Sequence, residues 1–276
     1  MIMTTTSDVS SFLLIDSALA SEACSQLPLG KNVTPPWLSV VYMRSAARVS
    51  PLLIDLLEAD LAGQIGLVAR VMNALQPRLH VSLIDTALTH RELLHHLRKF
   101  IFIKTEADQE LTLRFADCAV LPALAEVLTG PQWHALSAPI HRWCIHQLDG
   151  SIRALPSTPA EQNSVQTPLV LTDAQIELLR EATAVHQLMA NYRSMYPSEE
   201  GTRKPVDEYR FAAEARRMWH AAGHSDDPTL LYFIHGIFKT NGKIGRLPKM
   251  PMILRQSDFK KIRGDIDWLV ENQFSS

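Results

Sequence analysis

Short apolar runs and helix-like periodicities alternate along the first half of the chain. Phe12-Leu13-Leu14-Ile15, closed by Asp16, has the length and bulk of a buried strand. Helix formers fill 17–26, and Pro28, Gly30, Asn32, Pro35 and Pro36 mark a loop before a second strand at 37–42. Ser50 followed by Pro51 reads as an N-cap and first helical position, which predicts one broken helix or two over 51–61 and 65–75 with breaks at Gly63 and Gly66. A strand is expected at 79–84. Thr89 stands three residues before Glu92, the spacing of a capping box, so a helix is expected through Leu97. Strands follow at 100–103 and 110–115 around the polar turn 106–109, and Asp117 is expected to cap a helix through Leu128. Residues 140–148 read as a strand, and Asp149-Gly150 as the hairpin signal into 151–155.

The pattern changes after Leu155. Pro156, Pro159, Asn163, Ser164 and Pro168 lie in a polar connection, and beyond it every periodic segment is helical. Thr172-Asp173 opens a helix to about residue 196, Pro205 begins one stopped by Gly223, and Asp227-Pro228 begins a third ended by Asn241-Gly242. Pro248 and Pro251 predict a loop over 243–255, after which Ser257 is expected to cap a last helix. The fold class is therefore α+β: an N-terminal α/β lobe over 1–155 with a mixed sheet and flanking helices, a linker over 156–171, and an all-helical lobe over 172–276.

Composition narrows the function. A hydrophobic share of 46% and a charged share of 20% exclude a disordered or fibrous chain, and a formal charge of −2 gives no global attraction to nucleic acid or anionic membrane. Cys24, Cys118 and Cys144 share no metal-ligand spacing and leave an odd thiol, as expected in a reducing compartment. The apolar stretch 12–20 lacks a preceding Lys or Arg and is interrupted by Asp16, so it reads as a strand and not an export signal. No run is long enough to span a membrane, and a cytoplasmic location is expected.

Chemistry-bearing motifs are scarce. His90, His95 and His96 do not have the zinc-protease arrangement and read as a solvated helix face, while His141 and His146 fall on opposite faces of their strand. Asp55, Glu58 and Asp60 read as an acidic helix face. Residues 240–246 carry glycines and a lysine without phosphate-loop spacing, and no serine elbow or cysteine nucleophile motif occurs. No catalytic residue, metal ligand or cofactor is assigned. The one charge asymmetry runs from Lys239 to Arg263, where eight cations face the single carboxylate of Asp258. Lys239, Lys243, Arg246, Lys249 and Arg255 are the candidate partner-binding residues there, since cations speed encounter with an acidic surface. Trp133, flanked by Pro131, Gln132 and His134, is assigned to a rim where a partner docks. Arg114 and Asp117 are assigned structural roles, in strand alternation and helix capping.

Phe12 to Asp16, Pro36-Trp37-Leu38, the segment 90–104, and Leu111-Thr112-Leu113-Arg114-Phe115-Ala116-Asp117 followed by Val120-Leu121 resemble the adaptor-chaperone family of bacterial type VI secretion. Leu171-Thr172-Asp173-Ala174-Gln175 is similar as well. In that family the second strand of a pair ends in an Arg-Phe-aromatic-Asp-Pro-like step into a helix; here Ala116 replaces the aromatic residue and Cys118 the proline. The resemblance implies a non-catalytic cytoplasmic protein that binds a toxic effector and helps load it onto the VgrG spike, with no nucleic-acid or membrane partner. An enzyme with a dispersed hydrolytic or metal site, or a generic oligomeric scaffold, is the alternative.

Overall fold

The computed structural model describes residues 9–29, 34–42, 49–157, 166–199, 203–225 and 228–274. The expectations placed on residues 1–8, Gly30, Asn32, Pro159, Asn163, Ser164 and Asp227 lie outside them. Two compact units, Met1–Ala182 and Thr183–Ser276, divide the chain. The division falls inside a helix, α7 (Asp173–Met195), rather than in the polar connection at 156–171. The end of that connection is a strand, β9 (Leu169–Leu171), with Leu169 and Leu171 buried.

The first unit is built on a six-stranded sheet in the order β2-β3-β1-β4-β7-β8. These strands are β1 (Ser10–Ile15), β2 (Leu38–Val40), β3 (Leu52–Asp55), β4 (Val81–Thr86), β7 (Arg142–His146) and β8 (Ile152–Ala154). Every neighbouring pair is antiparallel. Strand β1 lies inside the sheet and is covered on both faces, which is why its sequence is a continuous apolar run and not an alternation. Phe12 and Leu14 point into one core with Leu53, Ile84 and Trp143. Leu93 and Leu97 of α4 (His90–Arg98), Leu121 and Leu124 of α5 (Leu121–Val127), and Trp133 and Leu136 of α6 (Gly130–Ser137) close that core. Leu13 and Ile15 point the other way, to Leu52, Ile54 and Cys24 of α1 (Ser21–Cys24), Ala59 of α2 (Leu56–Leu61) and Val68 and Val71 of α3 (Ile65–Met72). Each fully buried side chain of this size contributes about 1.5–3 kcal/mol, so the two cores are the main source of the unit's stability.

A second sheet, β6-β5-β9, pairs β5 (Phe102–Thr105) antiparallel with β6 (Glu110–Thr112) and parallel with β9, so the architecture is a mixed α/β unit followed by helices. Capping boxes fix three helix starts. Thr89 and Glu92 begin α4, Thr129 and Gln132 begin α6, and Thr172 and Gln175 exchange the same pair of bonds at the head of α7.

Three expectations change here. Residues 52–55 form strand β3 and not a helix after Ser50, because Leu52, Leu53 and Ile54 are buried on both faces, and periodicity alone cannot tell such a run from a buried helix. Asp55 then caps α2 by accepting from the Glu58 N–H, so it is a buried cap and not part of a solvated acidic face. Asp117 does not cap α5 directly. The helix begins at Leu121 with Pro122 in its first turn, and Asp117 caps the preceding turn through Ala119 N.

The second unit is helical. Leu230, Phe233, Ile234 and Ile237 of α9 (Pro228–Lys239) are buried, and α9 packs on α8 (Pro205–Ala221) and α11 (Phe259–Gln273). The left-handed pair Asn241 (φ 48°) and Gly242 (φ 82°) ends α9 as expected. The expected loop at 243–255 is largely helical: Ile244–Arg246 is a 3-10 turn, and Met250–Leu254 is α10. Pro251 occupies a first-turn position where its missing N–H is harmless, so it starts a helix here. Asp258, and not Ser257, caps α11.

Candidate partner-binding cleft and basic face

A cavity of about 520 Å³ opens at one end of the large sheet in the first unit. Asp16 follows the last residue of β1, Tyr42 follows β2 and Pro51 precedes β3. The antiparallel register brings these strand ends together, since Ile15 lies opposite Leu52. Ile101, just before β5, and Phe102 and Thr112 of the small sheet form another wall, with Arg114 and Ala116 beyond β6. Phe102 is 45% exposed and Val49 57%, so large apolar groups face solvent at the mouth. A concave, mostly apolar site with few polar groups is the usual form of a binding pocket.

The polar groups converge. Asp16 Oδ1 accepts from the N–H groups of Ala18 (3.0 Å) and Leu19 (3.3 Å), and its Oδ2 accepts from Arg114 Nη2 at 3.1 Å. The same nitrogen stands 3.2 Å from Asp117 Oδ2, while Asp117 Oδ1 accepts from Ala119 N at 2.8 Å. Both carboxylates are buried and the guanidinium is half exposed, so Arg114 is the member of the cluster that reaches the solvent side. Burial pulls the Arg114 guanidinium down, but Asp16 and Asp117 outweigh it and hold it above its ordinary value. Burial pushes the Asp117 carboxyl up, opposed by the Ala119 N–H and by Arg114. Burial, aided by Asp16, also raises the Tyr42 phenol, which stays neutral and able to donate a hydrogen bond into the cavity.

The sequence-predicted residues fall in three places. Arg114 and Asp117 meet at the cleft wall, joined by Asp16, which the sequence reading did not single out. Trp133 is not at a rim: it is 3% exposed, stacks on Trp143 with ring centres 6.4 Å apart, and donates from Nε1 to Pro156 O. A polar Pro-Gln-His neighbourhood hid a core residue whose polar tip is satisfied by a carbonyl. Lys239, Lys243, Arg246 and Arg255 are exposed on the second unit, and Lys249 is half-buried with Nζ 5.1 Å from the centre of the Trp268 ring.

The histidine trio is not a plain solvated face. His90 Nδ1 donates to Pro36 O and His96 Nε2 to Leu136 O, and burial lowers both imidazoles. Burial likewise pushes the Cys24 thiol up to about 11 and the Cys118 thiol up to about 12, away from the thiolate form that reacts. Among the described residues no group of three or more His, Cys, Asp or Glu is placed to hold a metal ion, and no helix is long and apolar enough to cross a membrane.

Residues 11–135 match the family model described as a domain of unknown function, DUF4123. The DUF4123 match runs from β1 into α6 and contains every residue that lines the cleft. No curated protein and no solved structure matches the chain. Phe102 and Tyr42 went unnoticed in the sequence because each sits in an apolar stretch that also supplies core residues. Phe102 alternates with buried Ile103, and that alternation was the available signal.

Proposed function

We propose that the chain is a cytoplasmic adaptor-chaperone that binds a type VI secretion effector and promotes its loading onto the VgrG spike, without catalysing a reaction itself. The observation that carries this reading is the meeting of Arg114 with Asp16. Two of the stretches that carry the resemblance to that family, Phe12 to Asp16 and Leu111 to Asp117, close on one another and wall a single apolar cleft. The same cleft lies wholly inside the DUF4123 match. A cleft with an apolar mouth suits an extended or helical segment of a protein cargo, with Phe102 and Val49 as contacts and the Arg114 cluster fixing orientation.

The test is co-purification from the native host followed by secretion assay. The tagged protein is expected to retain an effector and VgrG, and its deletion to abolish effector secretion. Phe102→Asp and Val49→Asp alter exposed side chains, so they should leave folding intact and cut effector retention at least about ten-fold. Unchanged effector secretion in the deletion strain, with neither partner retained, overturns the reading.

A further inference from the structure

The helical unit carries a surface distinct from the cleft. We propose that the 3-10 turn Ile244–Arg246, the helix α10 that packs on it, and α11 form a docking face for an acidic protein segment that bears one or two large apolar side chains. The proposal goes beyond the adaptor reading, because it holds or fails whichever cargo the cleft takes.

Charge is the first support. Residues 239–274 hold eight cations and four carboxylates in a chain of formal charge −2. Three of the four carboxylates are engaged locally. Asp258 accepts from Lys260 N and Lys261 N, Asp265 from Gln256, and Asp267 from the Tyr232 hydroxyl. The cations are not comparably engaged. Lys243, Arg246, Arg255, Lys260 and Lys261 are exposed and take part in no ion pair among the described residues. The positive charge is therefore available to a partner, where it steers encounter and selects against basic surfaces.

Apolar anchors on α10, which packs on the 3-10 turn, and on α11 are the second support. Met252 is 71% exposed on α10 and Trp268 54% on α11, and the two helices pack together. Met250, Ile253 and Leu254 on one helix and Ile262, Ile266 and Leu269 on the other are buried, so the outward side chains stand on a fixed support. Lys249 covers one face of the Trp268 indole and holds it in place, leaving the rest of the ring free. An exposed tryptophan on a rigid base, with Lys249 over one of its faces, has the character of an interface anchor. Single-stranded nucleic acid fits less well. It needs successive free aromatic faces, and here one indole already has a face occupied.

The experiment selects random twelve-residue peptides displayed on phage against the whole protein. It counter-selects against Lys243→Glu/Arg246→Glu/Lys260→Glu, whose sites are all exposed, with circular dichroism confirming that the variant folds. Peptides specific to the unmodified protein are expected to place Asp or Glu around one or two of Phe, Trp, Leu or Met. Their affinity should fall at least about ten-fold in the triple variant and in Trp268→Ala, and should weaken as salt rises. The proposal is overturned if the enriched peptides are neutral or basic, if none is enriched, or if Trp268→Ala and Met252→Gln both bind as the unmodified protein does. It is equally overturned if a fluorescent single-stranded oligonucleotide binds this face more tightly than the selected peptides.

Discussion

Arg114 Nη2 lies 3.1 Å from Asp16 Oδ2, joining residues 98 positions apart, and the same nitrogen serves Asp117. One guanidinium thus holds two buried carboxylates at the cleft wall. Without it the two acids lose their shared counter-charge in a site with little access to water. Arg114→Ala should therefore destabilise the protein by about 1–3 kcal/mol, less than for a fully buried pair because the guanidinium is half exposed. Arg114→Lys should recover only part of the loss, since the ammonium keeps the charge on a shorter side chain without the planar guanidinium that places Nη2 between the two acids. Denaturant unfolding of both variants, with Asp16→Asn in a double-mutant cycle, measures the coupling; additive losses would show that the contact contributes nothing.

Asp117 gives a separate test. Removing its bond to Ala119 N in Asp117→Ala should cost about 0.5–2 kcal/mol, and Asp117→Asn, which keeps an acceptor oxygen, should cost less. The pH dependence has a definite sign. Burial raises this carboxyl above 3.8, so between 3.8 and its raised value the folded state binds more protons than the unfolded one. Its contribution is therefore greatest on the acid side and declines as pH rises through that window. Melting temperatures of the native protein and Asp117→Asn from pH 3 to 6 should show the native protein's advantage shrinking as pH increases. A constant difference would refute the assignment.

What the sequence disclosed depended on how local the determining interaction is. The capping box at Thr89 spans three residues and was readable from spacing, as was the Asp149-Gly150 hairpin that pairs β7 with β8, whereas the equal spacing of Thr129 and Gln132 was passed over. Strand β3 was not readable, because Leu52 to Ile54 gain their strand state from neighbours at residues 12–15 and 38–40. The cleft was hidden for the same reason: Arg114 was visible as a strand-end cation, but its partner Asp16 is brought to it only by the packing of the two sheets. Trp268 stands off the face defined by Ile262, Ile266 and Leu269, and that offset was the trace it left in the sequence.

Gly236 tests the packing of the helical unit. A Cβ at this position would lie 2.9 Å from Ile266 Cγ2, so α9 and α11 cross where only a hydrogen fits. Ile266 is β-branched and buried, and its methyl cannot swing aside freely. Gly236→Ala gains roughly 1 kcal/mol of helix propensity but forces the overpacking that typically costs about 1–3 kcal/mol. A net loss is expected, with Ile266→Ala relieving part of it in the double variant. A more stable Gly236→Ala protein would mean that the crossing is looser than the structure shows.

His186 sets an acid limit on the same unit. Its ring lies 4.6 Å from that of Tyr209, and burial, reinforced by the Arg193 charge, lowers the imidazole from 6.5 to about 4. The folded state therefore keeps His186 neutral where the unfolded chain would protonate it. Between pH 6.5 and about 4 the unfolded state binds more protons, so this group's contribution to stability is full above 6.5 and is lost progressively as pH falls toward 4. His186→Phe preserves a ring against Tyr209 and cannot take a proton. Its stability should match the native protein within about 1 kcal/mol at pH 7.5 and exceed it increasingly on acidification to pH 4.5, as followed by the helical circular dichroism signal during urea unfolding. Parallel losses in the two proteins over that range would place the acid sensitivity elsewhere.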